Sequence, residues 1–301
     1  MSRQADTPRK ATYGLDAPTL LPLGAVVFVA NVVLAYLSGK IGPLIGSSVV
    51  LFCLGCGMYA SLRGKFLVWA DVLDGLQLKG DERILDLGCG RGAVLMAAAK
   101  RLTAGRAIGV DIWSRSDQSG NAASATRRNA AAENVAGSVA LVTGDMTALP
   151  LRSESFDLIV SNVAIHNIKG RPARQKAVDE AVRVLRPGGR VALADLSGTC
   201  GYAARLAALG MVDVRRRNLG CRMWWGGPWM PTCLVTATKP AGSTDAPGFP
   251  RAAGRPPGRR GTRQTRGRTR VPGRPTGQEF RLPTSAISHG RSRESTTRWG
   301  M

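Results

Sequence analysis

The chain has 301 residues, of which 44% are hydrophobic, and this length suits one large domain or two smaller ones. Its formal net charge is +22, but residues 241–301 alone hold 13 Arg, no Lys and 3 acidic residues, a net of +10. The overall charge therefore does not identify the folded part as a nucleic-acid-binding protein. The six cysteines are scattered and the chain shows no sign of secretion, so we interpret them as reduced thiols.

Two uncharged runs lie near the N-terminus, at residues 17–39 and 41–62, and only Lys40 separates them. A helix needs about 20 apolar residues to cross a bilayer core, and each run is long enough. We therefore predict a transmembrane helical hairpin over residues 20–63, after an N-terminal segment 1–19. A cleaved signal peptide is disfavoured because the first run starts late and a second run follows. A soluble helical hairpin is the alternative, although neither run has a polar face.

Basic residues on either side of the hairpin predict its orientation. Arg3, Arg9 and Lys10 precede the first run, and Arg63 and Lys65 follow the second. The turn between the runs holds a single lysine. Because basic flanks stay in the cytoplasm, we expect a multi-pass protein of the cell membrane with both ends of the hairpin cytoplasmic.

Residues 64–240 alternate between strand and helix patterns, which is typical of right-handed crossovers and a largely parallel sheet. The predicted fold is a Rossmann-like, doubly wound, seven-stranded α/β domain. The expected strands are 83–87, 107–111, 139–143, 158–161, 190–195, 212–215 and 234–238, and the expected helices are 93–102, 119–134 and 173–185.

Residues 241–301 are rich in Gly, Pro, Arg, Thr and Ser, a composition that cannot bury a core. We expect this tail to be disordered. Its arginines predict salt-sensitive, nonspecific binding to polyanions. Few aromatic residues are interleaved with them, so no specific nucleic acid partner is expected.

A glycine-rich turn follows the first predicted strand of this domain, in Asp86-Leu87-Gly88-Cys89-Gly90-Arg91-Gly92. Glycine has no Cβ, so such a turn lets the backbone approach a nucleotide-like ligand closely. The helix that opens behind the turn offers free N–H groups. Taken alone, the spacing Gly88-x-Gly90-x-x-Ala93 also fits a dinucleotide-binding fingerprint.

Polar residues end the next three strands. Asp111 ends the second strand, where a carboxylate accepts hydrogen bonds from ribose hydroxyls of either NAD or S-adenosylmethionine (SAM). Asp145 and Met146 follow the third strand, where a carboxylate accepts from an exocyclic amine and a methionine packs on an adenine face. A helix N-cap is the competing interpretation of Asp145. Asn162 ends the fourth strand.

These segments, followed by Leu185-Arg186-Pro187-Gly188-Gly189, resemble the class I SAM-dependent methyltransferases, and most of all their small-molecule branch, over about residues 66–240. Asp86 argues against a dehydrogenase, whose first strand usually runs apolar into the first glycine. The resemblance implies SAM as cofactor and implies the following roles. The loop around its methionine part would be formed by Asp86, Gly88, Cys89, Gly90 and Gly92. The ribose and adenine would be held by Asp111, Ile112, Asp145 and Met146. Asn162, or its backbone, would face the transferred methyl group.

His166 is a candidate catalytic residue together with Asn162. It is the only histidine of residues 64–240 and follows the fourth strand on the ligand side of the sheet. We interpret it as a general base or an acceptor contact, with a locally bonded histidine at a helix start as the alternative. Three indoles, Trp224, Trp225 and Trp229, lie in the loop between the last two strands. They predict an apolar acceptor pocket or a membrane-interface contact, and ordinary packing within the loop is the alternative.

The sequence as a whole predicts a membrane-anchored SAM-dependent methyltransferase that acts on a small or lipid-soluble acceptor, with no metal site. An arsenite-type methyltransferase is one alternative, and it would need several cysteines to converge on the metalloid. The other is a non-catalytic membrane scaffold with a polyanion-binding basic tail.

Overall fold

The computed structural model of the protein describes residues 11–16, 18–114 and 116–241. Nearly all of the predicted tail and the basic residues of the N-terminal segment lie outside these ranges. The predictions made for them stay predictions.

Seven strands form one mixed sheet in the order β3-β2-β1-β4-β5-β7-β6. The first five run parallel, β7 runs antiparallel to β5, and β6 runs antiparallel to β7. This confirms the Rossmann-like, doubly wound fold. The strands are β1 Arg83–Leu87, β2 Arg106–Asp111, β3 Val139–Thr143, β4 Phe156–Asn162, β5 Leu185–Asp195, β6 Val212–Asn218 and β7 Cys233–Thr238.

The chain order reverses between β1 and β4. From β1 the chain crosses to β2 and then β3 on one side, and β4 pairs with β1 on the other side. Ligands of open α/β sheets bind outside the carboxyl ends of the strands at such a reversal. We therefore expect a ligand to bind beside the segments that follow β1, β2 and β4.

Helices cover both faces of this sheet, and two more precede it. They are α1 Leu20–Ser38, α2 Gly42–Tyr59, α3 Lys65–Gly75, α4 Ala93–Ala99, α5 Ala123–Ala132, α6 Arg171–Val184 and α7 Thr199–Ala208. The three helices predicted for the domain are present as α4, α5 and α6, with α4 and α5 shorter than expected. The sequence pattern missed α3 and α7.

The core lies on both faces of the central strands, which explains why these strands are apolar at nearly every position. On one face, Leu85, Ile159 and Leu193 pack against residues of α6 and α7. On the other face, Ile84 and Leu158 pack against residues of α3 and α4.

The two N-terminal helices pack against each other, and most of their apolar side chains remain exposed; Leu37, for example, is 75% exposed. Both are long and apolar enough to cross a membrane. The second continues through one π-helical turn, Ala60–Gly64, directly into α3. The boundary predicted after residue 63 thus falls inside a continuous helix, and the apolar hairpin is joined to the sheet domain without a loop.

Candidate active site

The glycine-rich turn after β1 is fixed to the neighbouring strand β2. The backbone N–H groups of Gly88 and Cys89 donate to the carbonyl oxygen of Val110 at 2.8 and 3.2 Å. Gly88 has φ +69° and Gly90 has φ +50°, both in the left-handed region that favours glycine. A Cβ at Gly88 would collide with Ala164, and one at Gly90 would lie 2.5 Å from the Gln118 Oε1. A side chain therefore has no room at Gly88, and one at Gly90 would displace Gln118 and strain the backbone.

Asp86 is buried beside this turn, and its Oδ2 atom has no hydrogen-bond partner among the described residues. Burial, with a smaller contribution from the negative charge of Asp111, raises the pKa of Asp86 from 3.8 to about 8. An unpaired buried carboxyl is costly unless a ligand supplies a donor. The amino group of SAM is a donor of the required kind.

Asp111 ends β2 as predicted and is held by two backbone donors. Its Oδ2 accepts from the Gly90 N–H at 2.7 Å, and its Oδ1 accepts from the Trp113 N–H at 2.6 Å. The Asn121 side-chain amide also donates to Oδ1, at 3.3 Å. A carboxylate offers about four acceptor positions, so with three donors Asp111 keeps about one position for a ribose hydroxyl.

One cavity of about 350 Å³ collects the predicted site residues. Ten of the eleven line it: Asp86, Gly88, Cys89, Gly90, Asp111, Ile112, Asp145, Met146, Asn162 and His166. Gly92 is the exception; it has φ +86° and directly precedes α4. We call this space the cofactor cavity. The glycine turn, the unpaired Asp86 oxygen and the strand-end carboxylate fit SAM, but the binding roles of the individual residues remain predictions.

The N-cap interpretation of Asp145 is not supported, because no described helix begins there. Instead, Asp145 Oδ1 accepts from the backbone N–H of Thr147 at 2.8 Å, a local turn that leaves the other carboxylate oxygen available. Met146 is half-buried against the core, and Ile112 is exposed at the rim. The Cys89 thiol stays protonated, because burial and the neighbouring charges of Asp86 and Asp111 raise its pKa well above the usual value.

His166 lies in a short 3₁₀ turn after β4, next to Asp195 at the end of β5. Its Nδ1 is 2.6 Å from Asp195 Oδ1, an ion-pair distance without the alignment of a hydrogen bond. Asp195 also accepts from the backbone N–H groups of His166 and Leu196 and from the hydroxyl of Tyr202. Asp195 was not predicted from the sequence, although it is an acid that ends an apolar strand, the same signal that identified Asp111.

Asn162 is held in place by α3. Its Oδ1 accepts from the indole N–H of Trp69 at 2.8 Å, and Trp69 is fully buried. The contact orients the Asn162 amide so that its Oδ1 faces helix α3. Trp69 was not predicted as a site residue, because α3 itself was not predicted.

The segment ahead of α1 also reaches the cofactor cavity. Asp16 Oδ2 accepts from Lys65 Nζ at 2.6 Å and from Ser61 Oγ at 2.9 Å, and its Oδ1 accepts from the Gln118 amide at 2.7 Å. Gln118 in turn accepts from the backbone N–H of Arg91 in the glycine turn, at 2.7 Å. Asp16, Lys65 and Gln118 all line the cavity, and none of them was predicted as a site residue. The one available signal was that Asp16 is the only acidic residue between Asp6 and Asp71.

Of the three indoles in the loop before β7, Trp225 alone lines the cofactor cavity, together with Met230. The Trp225 indole N–H donates to Thr232 Oγ1 at 3.1 Å, which anchors the ring. Trp229 is 61% exposed and lies 6.3 Å from Phe52 of α2, between ring centroids. The loop therefore contacts both the site and the hairpin.

The six cysteines, all within the described ranges, do not converge on the site. Cys89 is the only one that lines the cofactor cavity, and Cys200 and Cys221 are exposed. Among the described residues there is also no group of three or more His, Cys, Asp or Glu side chains that could hold a metal ion.

Residues 85–193 match the family model described as a methyltransferase domain. The chain is similar to the ubiquinone/menaquinone biosynthesis C-methyltransferase UbiE of a Ruegeria species, with 34% identity over 44% of this chain and 50% of that protein. It is also similar to the arsenite methyltransferase of Halobacterium salinarum, with 35% identity over 40% of this chain and 29% of that protein. A solved SAM-dependent methyltransferase from Aquifex aeolicus aligns at 18% identity and a TM-score of 0.45, over 56% of this chain and 88% of that one.

The chain thus spans about half the length, or less, of these curated relatives. The matched residues run from β1 to β5 and include the glycine turn and the strand ends that line the cofactor cavity. The matched segment is therefore a methyltransferase domain, with SAM as its cofactor.

Proposed function

We propose that this protein is a membrane-anchored methyltransferase that transfers the methyl group of SAM to a lipid-soluble acceptor. The observation that carries the proposal is that residues at the base of the apolar hairpin line the cofactor cavity. Asp16 and Thr19, just ahead of α1, and Lys65, at the start of α3, line the cofactor cavity. A hairpin that served only as a remote tether would not need to contribute residues there.

SAM supplies an activated methyl group on a sulfonium centre, so the protein mainly has to bind and orient. Asp86 and the turn from Gly88 to Gly90 would hold the methionine part, and Asp111 the ribose. Asn162, fixed by Trp69, would face the methyl group from the end of β4. The loop that contains Trp225 and Met230 would exclude water on the acceptor side.

His166 and Asp195 would remove the acceptor's proton. The free Nε2 of His166 takes the proton, and the adjacent Asp195 carboxylate stabilises the resulting imidazolium. Asp195 is held for this role by its three other donors. Burial and the charge of Asp195 raise the pKa of Tyr202, so that its hydroxyl remains a hydrogen-bond donor.

For the acceptor we propose a hydroxylated aromatic ring with an apolar side chain, methylated at a ring carbon. The support is the similarity to a C-methyltransferase of ubiquinone/menaquinone biosynthesis. Loss of the ring hydroxyl's proton to His166 makes the adjacent ring carbon more nucleophilic. That carbon would then take the methyl group as the bond between the methyl and the SAM sulfur breaks and S-adenosylhomocysteine leaves. The ring carbon would lose its hydrogen as a proton and the ring oxygen would regain one, so that one proton is released overall.

Arsenite methylation is the second candidate, because the chain is 35% identical to an arsenite methyltransferase over 122 residues. Such chemistry needs thiols that converge on the metalloid, whereas Cys89 alone lines the cavity and its thiol is buried and protonated. Arsenite should therefore be a poor acceptor, and including it in the assay below tests this directly.

The test is methyl transfer by the full chain in phosphatidylcholine nanodiscs, with methyl-labelled SAM and either fractionated membrane lipids or water-soluble metabolites. We expect label in the lipid fraction. Asp86→Asn should abolish transfer, whereas Asp81→Asn, the same change at an exposed position ahead of β1, should not. Label confined to water-soluble metabolites would contradict the lipid acceptor, and transfer unaffected by Asp86→Asn would contradict the site.

A further inference from the structure

A second cavity, of about 370 Å³, lies between α1, α2 and the loop that precedes β7. We call it the hairpin cavity. Its size lies within the range of about 300–1,000 Å³ in which proteins bind drug-sized ligands. Its walls include Val27, Val50, Cys53, Leu54, Trp225 and Met230.

The polar side chains of the hairpin cavity are concentrated at one end. Asp16 and Ser61 line it next to the sheet domain, where Ser61 donates to Asp16. The rest of the wall is apolar along both helices. Val49 lies twelve residues before Ser61, about 18 Å along a helix at 1.5 Å per residue. A ligand that filled this space would be elongated, with an apolar body and one polar end.

The polar end of the hairpin cavity meets the cofactor cavity. Asp16, Trp225 and Met230 line both. Trp225 is anchored by its bond to Thr232, so the shared wall is formed by a fixed ring. The two cavities therefore adjoin at these three residues, and a molecule that reached from one to the other would pass beside them.

We infer that the hairpin cavity binds the apolar chain of the methyl acceptor and that α1 and α2 form a substrate subsite. The inference rests on the proposed function and adds a specificity determinant to it. The position of the hairpin cavity beside the cofactor cavity favours the acceptor over a phospholipid or a second copy of the chain, neither of which needs that position. The half-exposed walls at Val27 (39%) and Val49 (46%) give a hydrocarbon chain sideways access from a surrounding bilayer.

The first experiment maps the chain by photo-crosslinking to the full protein in phosphatidylcholine nanodiscs. The probe is a hydroquinone with a dodecyl chain that carries a terminal diazirine. We expect adducts on Val27, Val50 and Leu54, and excess unmodified dodecyl hydroquinone should remove them. Adducts on Val29 and Leu51, which do not line the cavity, should persist as labelling from bulk lipid.

The second experiment fills the cavity and compares acceptors with and without a chain. Val50→Trp should raise the KM for dodecyl hydroquinone about tenfold or more. The indole would occupy the space of the dodecyl chain, so the apolar area that the chain buries there would be lost. The KM for unsubstituted hydroquinone and the Kd for SAM should not change. Val29→Trp, the same substitution on an exposed face of α1, should leave both acceptors unaffected.

Either of two results would overturn the subsite. One is adducts that dodecanol removes as well as dodecyl hydroquinone does, since the cavity would then hold any lipid chain. The other is equal KM values for the acceptors with and without a chain. If neither acceptor is methylated, the proposed function fails. The crosslinking, which needs no turnover and no variant, still shows whether the cavity binds the chain.

Discussion

Asp16 Oδ2 lies 2.6 Å from Lys65 Nζ, and this ion pair joins the segment ahead of α1 to the first turn of α3. Lys65 is only 2% exposed, so its ammonium group depends on Asp16 for charge compensation. Asp16 also accepts from Gln118, which contacts the glycine turn. The base of the hairpin and the cofactor loop therefore belong to one polar network.

Asp16→Asn should destabilise the protein by roughly 3–5 kcal/mol, because it leaves the buried Lys65 charge unpaired. Thermal unfolding of the full chain in detergent measures this. Adding Lys65→Met should recover most of the loss. Asp71→Asn, which breaks a surface pair with Arg222, is the matched control and should have little effect. Equal effects of Asp16→Asn and Asp71→Asn would show that the buried pair is unimportant.

Gly90→Val should abolish SAM binding. The backbone at φ +50° disfavours a side chain, and a Cβ there meets Gln118 Oε1 at 2.5 Å. Asp111→Ala should weaken binding, since it removes the acceptor proposed for the ribose hydroxyls and releases the Gly90 and Trp113 N–H groups. Calorimetric titration with SAM measures both, and Gly137→Val, where a Cβ meets open space, is the control. Unchanged affinity in the first two variants would show that the site is elsewhere.

The raised pKa of Asp86 predicts that this residue lowers the free energy of unfolding of the SAM-free protein by an amount that depends on pH. The folded protein keeps the Asp86 proton until the pH reaches about 8, whereas the unfolded chain releases it near pH 3.8. The contribution of Asp86 to the free energy of unfolding is therefore full below pH 3.8 and is lost as the pH rises to about 8. Asp86→Asn should therefore stabilise the protein progressively over this window, by up to about 1.4 kcal/mol per pH unit relative to wild type. Thermal unfolding at pH 5 and pH 8 tests the sign, with Asp81→Asn as control. A gain that shrinks as the pH rises would contradict it.

The same carboxyl should release a proton when SAM binds at pH 7, because the cofactor's cationic groups favour the ionised form of Asp86. Calorimetry in buffers of different ionisation enthalpy counts this proton. The Asp86→Asn variant, in any residual binding, should release none. An observed enthalpy that does not depend on the buffer would contradict the role of Asp86 at the cofactor's amino group.

The sheet was predictable from sequence because each strand is a short apolar run that ends in a turn signal. The candidate site followed from it, since parallel strands bring their carboxyl ends together; Asp111 and Asn162 were predicted in this way, and Asp86 was predicted from the glycine-rich turn that follows it. Helix α7 was missed although Tyr202 and Leu206 have helical spacing, because Gly198 and Gly201 near its start lower helix propensity. Helix α3 was missed because it directly continues the apolar hairpin.

The contacts of Asp16 were not predictable, because no local pattern connects it with Lys65, 49 residues away, or with Gln118, 102 residues away. Only the path of the hairpin back to the domain brings them together. The chain is close-packed where the hairpin joins α3, which holds the hairpin in that path. A Cβ at Gly64, the residue before α3, would collide with the carbonyl oxygen of Arg222. Such long-range matches depend on tertiary packing rather than on periodicity or composition.

The orientation of the hairpin remains a prediction, and reporters test it. With fusions at the N-terminus, at Lys40 and after Gly75, we expect cytoplasmic signals at the first and third positions and the opposite signal at Lys40. Moving positive charge into the turn, by Ser38→Lys together with Ile41→Lys, should weaken this preference. A cytoplasmic signal at Lys40, or recovery of the intact chain in the soluble fraction, would contradict the membrane hairpin.

His166 distinguishes a catalytic site from one that only binds SAM. His166→Gly should lower kcat for the hydroquinone acceptor by about 10²–10⁴-fold, the usual contribution of general acid–base catalysis, with an unchanged Kd for SAM. Asp195→Asn should also lower kcat, since Asp195 holds the His166 backbone at 2.9 Å and faces the ring nitrogen. Added imidazole should partly restore turnover in His166→Gly but not in Asp195→Asn, because only the first variant leaves room for a replacement base. If kcat survives the loss of His166, the residue is structural and the acceptor's proton must leave by another route.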